Sequence, residues 1–140
     1  MIKFWIRSRN TEIMNNVELI KNLYQAFAAG DIPAVLQSFD EKIEWTEAEG
    51  FPYGGTYRGG EAILQNVFMK LATEWTDFKA EPNELLDAGE RIIALGNYSG
   101  SYKQTGKSMN VPFAHVWALE NGKVTNFVQY TDTLKVSEAL

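Results

Sequence analysis

Residues 109–134 read MNVPFAHVWALENGKVTNFVQYTDTL, two alternating runs of apolar and polar side chains joined at Asn121-Gly122. Alternation with a period of two marks a half-buried strand. Asn-Gly between two such runs is a strong hairpin signal, because both residues tolerate the left-handed backbone of a tight reversal. The turn also decides what faces inward. A two-residue loop sets His115 opposite Val128 and gathers Asn126, Val128, Tyr130 and Asp132 on the face of His115 and Trp117. A three-residue loop with Gly122 as a left-handed bulge sets His115 opposite Phe127 and gathers Phe127, Gln129 and Thr131 there instead.

Upstream, Arg91 to Tyr102 reads as another long strand with Gly106 marking the turn after it, and Leu85-Leu86 and Trp75 to Lys79 read as shorter ones. Before them Ile63, Val67, Phe68 and Leu71 recur at helical spacing within Glu61 to Thr73. Val17, Ile20, Leu23, Tyr24 and Phe27 do the same in a first helix that Asn15 or Asn16 caps and Gly30 ends. Ile32 to Phe39 carries Pro33 in its first turn, where the missing N–H costs little, and predicts a second short helix. Lys42 to Glu47 alternates, placing Ile43, Trp45 and Glu47 on one face of a strand. Between these elements, Gly50 to Gly60 holds five of the eleven glycines together with aromatic residues, the composition of a tightly turning loop or lid. Helices first and then a run of antiparallel strands predict an α+β domain, with the helices on one face of a curved sheet and a pocket between them.

The bulk properties narrow the chemistry. With 140 residues, 45% hydrophobic and 22% charged, the chain has the profile of one soluble globular domain. At that size roughly two thirds of the unfolded surface is buried on folding, so no disulfide or structural metal is required. The absence of cysteine excludes a disulfide scaffold, a thiolate zinc site, a cysteine nucleophile and an iron–sulfur cluster. A single histidine, His115, excludes a two-histidine metal site. A net charge of −5 is the wrong sign for a broad phosphate-binding surface, so nucleic acid is not expected as a partner. Lys3, Arg7 and Arg9 interrupt the apolar residues of positions 1–13, which leaves no secretory signal there, and no run reaches the ~20 apolar residues of a membrane span. A cytoplasmic location is the expectation. Residues 1–13 read equally as an extension from an upstream start or as an added first strand, ahead of a single domain over 14–140. No glycine-rich dinucleotide fingerprint or phosphate-binding lysine motif is present, so no cofactor is expected.

The segments Tyr24-Gln25-Ala26-Phe27-Ala28-Ala29-Gly30-Asp31, Ile43-Glu44-Trp45, Pro52-Tyr53-Gly54-Gly55-Thr56-Tyr57-Arg58-Gly59 and His115-Val116-Trp117, followed by Asn121-Gly122-Lys123-Val124 and Tyr130-Thr131-Asp132-Thr133, resemble in order and spacing the SnoaL-like branch of the nuclear-transport-factor-2-like superfamily. That superfamily includes ketosteroid isomerase, polyketide cyclases and limonene epoxide hydrolase. The resemblance covers Met14 to about Leu134 and implies a cone-shaped, curved antiparallel sheet with N-terminal helices over its concave face, and a homodimer through the outer sheet face. It also implies the bulged hairpin, with His115, Trp117, Phe127 and Gln129 inward. The known activities do not carry over residue by residue. Where ketosteroid isomerase has its carboxylate base this chain has Trp45, where it has a tyrosine the spacing gives Leu23 beside Tyr24, and in place of its protonated aspartic acid stands His115. The Asp-Arg-Asp positions of the epoxide hydrolase hold Tyr98, Gly96 and Gln129.

Candidate site residues follow from this placement. His115 is a possible general acid or base and hydrogen-bond donor, and Glu47, two residues along from Trp45, is a possible displaced carboxylate. The plainer reading makes Glu47 a rim or loop residue and His115 a structural one. Tyr98, Tyr57 and Gln129 offer hydrogen bonds to a ligand carbonyl or hydroxyl. Trp45, Trp117, Phe39, Phe113 and Phe127 supply an aromatic wall suited to a small flat hydrophobic molecule of polyketide, terpenoid or steroid type. Three functions remain open at this level: a cofactor-free isomerase, cyclase or lyase, a non-catalytic ligand-binding domain, and a dimerising scaffold.

Overall fold

A computed structural model describes residues 15–140. Residues 1–14 lie outside the described part, and with them both readings of the N-terminal segment. The order is α1 (Asn16–Ala28), α2 (Ile32–Gln37), β1 (Phe39–Glu47), β2 (Gly55–Arg58), α3 (Gly60–Ile63), a π-helical stretch (Leu64–Phe68), α4 (Met69–Glu74), β3 (Trp75–Ala88), β4 (Arg91–Tyr102), β5 (Ser108–Glu120), β6 (Lys123–Thr131) and α5 (Thr133–Ser137).

Local chemistry accounts for the helix ends. The Asn15 side chain accepts from the Glu18 N–H at 2.9 Å, which makes it the N-cap of α1. Asp31 accepts from the Ala34 N–H and caps α2, with Pro33 in the first turn as predicted. The second helix stops at Gln37, earlier than its apolar stripe indicated, because Phe39 leaves it to begin β1 opposite Val124 of β6. The glycine-rich segment is a loop only in part, since its second half is strand β2, paired with β1.

The six strands form one open, curved sheet in the order β2-β1-β6-β5-β4-β3. All neighbours are antiparallel except β1 and β6, which run parallel, a correction to the all-antiparallel expectation. The reason lies in the connections. The helical rod from Gly60 to Glu74 carries the chain from one sheet edge at β2 to the other at β3, and the meander β3-β4-β5-β6 then returns to lie beside β1. Such a crossover, unlike a tight turn, is free to leave first and last strands parallel.

β3 is a single strand of 14 residues where the sequence reads as two short pieces. Its interruptions are bulges: the register against β4 shifts between Thr76 and Lys79, where Asp77 has φ 53°, and again between Pro82 and Glu84. Bulges bend a strand and tighten its twist, which curls this edge of the sheet toward the helices. At Gly96 the packing leaves no space for a side chain, because an added Cβ would lie 2.2 Å from the Glu81 carbonyl oxygen and 2.7 Å from the Phe113 ring.

The hairpin at 121–122 resolves differently from both of its readings. The loop has two residues, with Glu120 paired to Lys123, and Asn121 and Gly122 take φ 50° and 76°. That is the left-handed geometry of a tight hairpin turn. The register then shifts between Ala118 and Leu119, so that His115 pairs with Gln129 and Trp117 with Phe127. The inward set of the bulged reading is therefore present, but the extra residue sits in β6, at Thr125, and the partner of His115 is Gln129. Tyr130 points outward at 58% exposed, and Asp132 caps α5 by accepting from the Lys135 N–H.

Candidate active site

The concave face of the sheet and the helices enclose a cavity of about 50 Å³. Its wall includes Trp45 and Glu47 from β1, Tyr98 from β4, His115 and Trp117 from β5, Phe127 and Gln129 from β6, and Leu23, Tyr24 and Phe27 from α1. Phe51 of the glycine-rich loop, Phe68 and Leu71 of the helical rod, and Phe78 of β3 complete its apolar sides.

His115 lies in the middle of β5, between Ala94 on one side and Gln129 on the other. Its imidazole is clamped. Phe113 stacks on it with ring centroids 3.9 Å apart, Phe127 meets it edge-on at 4.8 Å, and the Tyr24 ring lies parallel to it at 5.9 Å. Both ring nitrogens are engaged by phenols: Nδ1 with the Tyr24 hydroxyl and Nε2 with the Tyr98 hydroxyl, each at 2.5 Å. Complete burial among apolar groups disfavours the imidazolium and lowers the pKa to about 3, so the ring is neutral at physiological pH.

Counting protons shows what this arrangement leaves over. The Trp117 indole N–H donates to the Tyr24 oxygen at 3.0 Å, and the Gln129 amide N–H donates to the Tyr98 oxygen at 2.8 Å. The Gln129 amide is held this way round because its Oε1 accepts from the Ala48 backbone N–H. A neutral imidazole has one N–H and one acceptor nitrogen. With the two phenol protons that makes three donors for two phenol–imidazole contacts. In either tautomer one tyrosine therefore accepts two N–H bonds and keeps an O–H with no acceptor among the described residues. Burial pushes both phenols well above the ordinary tyrosine range, so they remain protonated.

Glu47 is the counterpart of that surplus donor. It is buried, not at the rim, at 4% exposed, because residues 43, 45 and 47 share the inner face of β1. Its Oε1 accepts from the Trp45 indole at 3.0 Å, while Oε2 is buried with no hydrogen-bond partner among the described residues. Desolvation raises its pKa to about 7, with the Trp45 and Gln129 donors offsetting part of the rise. A carboxylate at neutral pKa with a free oxygen is poised to take or return a proton.

The structure thus brings His115, Glu47, Trp45, Tyr98, Trp117, Phe127 and Gln129 to one cavity. It places three other candidates behind that wall. Phe39 packs on Trp45 and Phe68, Phe113 backs the imidazole, and the Tyr57 hydroxyl donates to the Tyr53 carbonyl at 2.7 Å. Arg58 is exposed and pairs with Glu44 at 3.1 Å. Tyr24, which the sequence sets beside the tyrosine position of ketosteroid isomerase but which is not among the candidates named above, joins the site. Its signal was the single hydroxyl in the stripe Ile20, Leu23, Tyr24, Phe27, since a buried phenol needs a polar partner across the interface. Among the described residues no cluster of three or more His, Cys, Asp or Glu could hold a metal ion, and no helix is long and apolar enough to cross a membrane.

A curved, open sheet wrapped over helices around an apolar cavity defines the nuclear-transport-factor-2-like class of α+β proteins, and solved structures of that class superpose on this chain. One from Burkholderia thailandensis is 40% identical, with 91% of this chain and 98% of that one covered and a TM-score of 0.88. One of unknown function from Burkholderia pseudomallei is 28% identical, with 91% and 98% covered and a TM-score of 0.83. TerC, co-crystallised with polyporic acid, is 26% identical, with 89% and 96% covered and a TM-score of 0.80. Within that class the chain belongs to the SnoaL-like domain family, whose pattern it matches over residues 20–127. Among curated proteins none matches its sequence significantly.

Proposed function

We propose that the protein is a cofactor-independent proton-transfer enzyme, an isomerase or cyclase acting on a small hydrophobic carbonyl compound. The observation that supports this most is the pairing, on one apolar cavity wall, of an unpartnered carboxylate oxygen on Glu47 with one surplus tyrosine O–H. The Glu47 carboxylate takes a proton from the carbon beside the carbonyl, and the electron pair moves onto the carbonyl oxygen. That oxygen, now enolate-like, accepts the phenol O–H. A phenol whose oxygen already receives two N–H bonds is a better donor than an isolated one, because hydrogen bonds in a chain polarise one another. Glu47 then returns the proton to a different carbon, or the enolate carbon closes a ring. In this reading His115 is a positioning residue that keeps both phenols in place, and the tyrosine carries the donor role. That TerC, a neighbour of the same fold, was co-crystallised with polyporic acid supports a small-molecule ligand for this chain.

Exchange of α-carbon hydrogens tests this without knowledge of the product. A panel of small methyl ketones, 2-butanone and acetophenone among them, is incubated in D2O and followed by proton NMR. The expected result is catalysed exchange of at least one ketone, rising with pH around 7 as Glu47 ionises, reduced by about 10²-fold or more in Glu47→Gln and more modestly in Tyr98→Phe or Tyr24→Phe. A ketone that binds but shows no exchange above the buffer rate overturns the enzymatic reading in favour of a binding domain.

A further inference from the structure

The cavity is small for the ligands its walls suit. A cavity of about 150 Å³ holds a single benzene ring, roughly three times the volume present. A second feature lies against it. A groove of about 390 Å³ runs between α2, the helical rod and the start of β3, and Phe27, Phe68, Leu71 and Phe78 line both spaces. These four side chains are one partition, apolar on each side. On the groove side it meets Ile32 and the exposed Met69, and among the described residues Asp77 is the one charged side chain lining it. Another groove of about 410 Å³ adjoins the cavity at Tyr24 and Ala80, but Lys21, Gln25, Glu81, Asn83 and Glu84 make it polar.

Phe68 closes the π-helical stretch, where one extra residue per turn loosens the regular ladder, and such stretches recur at functional sites. Phe27 meets it edge-on, with ring centroids 5.5 Å apart, and is only partly buried. With the two rings turned aside, cavity and groove join into a space within the roughly 300–1,000 Å³ of ordinary ligand pockets.

Resting on the proposed proton-transfer reading, we infer that this groove is a second, apolar subsite continuous with the cavity. Its occupant is the hydrocarbon tail of an elongated ligand whose carbonyl head sits between Glu47 and the tyrosines. The ligand class is thereby narrowed to molecules with one compact polar end and an apolar extension. A compact, many-ringed compound has its bulk at the wrong end.

Calorimetric titration with para-alkylated acetophenones, from methyl to hexyl, tests this. Each added methylene entering the groove tightens Kd by about 2- to 4-fold in the unaltered protein. Ala72→Trp, on the exposed face of α4 and within the groove, flattens that gain while the methyl homologue binds as before. Met69→Glu does the same by charge and serves if the tryptophan variant fails to fold. Ala28→Trp, in the polar groove, leaves the gain intact. No gain with chain length in the unaltered protein, or an equal gain in Ala72→Trp, overturns the subsite but not the cavity reading. Failure of every homologue to bind overturns the cavity reading and the subsite with it.

Discussion

Replacing Glu47 by Gln isolates the effect of a carboxylate that the fold holds near neutral pKa. The folded state favours the protonated form, with a pKa of about 7 against 4.5 for the unfolded chain. Glu47 therefore costs nothing well below pH 4.5, and its penalty grows as pH rises through the interval up to about 7, levelling off above it. At 1.36 kcal/mol per pKa unit the penalty is about 1 kcal/mol at pH 5 and about 3 kcal/mol at pH 8. His115 works in the opposite sense. Its folded pKa of about 3 lies below the ordinary 6.5, so its contribution to stability is lost as pH falls below 6.5. Between pH 4.5 and 6.5 the two slopes nearly cancel, and the stability of the unaltered protein hides both. Comparison with Glu47→Gln removes the cancellation. The buried amide has its own pH-independent cost, which drops out when the stability difference at pH 8 is compared with that at pH 5. Urea melts at the two pH values should show the variant gaining about 2 kcal/mol relative to the unaltered protein on going from pH 5 to 8, or roughly 8 °C in Tm for a domain this size. A stability difference that does not change with pH means that Glu47 titrates as an ordinary surface carboxylate, and refutes the desolvation argument on which its role as a base depends.

The remaining predictions are simpler to read. Because the protein has one histidine, its NMR titration is unambiguous. The His115 ring signals should stay constant from pH 8 to pH 5, and a midpoint above about 5.5 would contradict a ring sealed between two phenols. The same spectra assign the tautomer, and so the tyrosine that holds the surplus O–H. Gly96→Ala forces a methyl group against the Glu81 carbonyl and the Phe113 ring, and should destabilise the protein by about 3 kcal/mol, seen as an earlier urea midpoint with unchanged m. An unchanged midpoint would show that β3 and β4 are not packed as tightly there as described.

Much of the architecture was legible because local chemistry decides it. The caps at Asn15 and Asp31, the stripe Ile20, Leu23, Tyr24, Phe27, and the alternation in β4, β5 and β6 are all set by residues within a few positions of one another. β3 was less legible. It is an edge strand with Pro82 at a bulge and few buried residues, so its alternation is weak and the reading broke it in two. The parallel pairing of β1 with β6 was not legible, because it joins segments some eighty positions apart that no turn chemistry connects.

For the site, residue type and strand parity pointed to His115, Glu47, Trp45 and Trp117, while Gln129 was placed inward only by the family resemblance, because parity left the hairpin register open. The partners that give those residues their chemistry came from elsewhere in the chain. The sequence by itself determined which side chains share a face, since a strand's period of two admits no compromise once the register is known. Only the tertiary structure decided the register, through an extra residue at Thr125, and only it set Tyr24 of α1 against His115 of β5. It alone buried Glu47 with one oxygen unpaired. Those outcomes depend on long-range packing and on desolvation, and both are properties of the assembled interior.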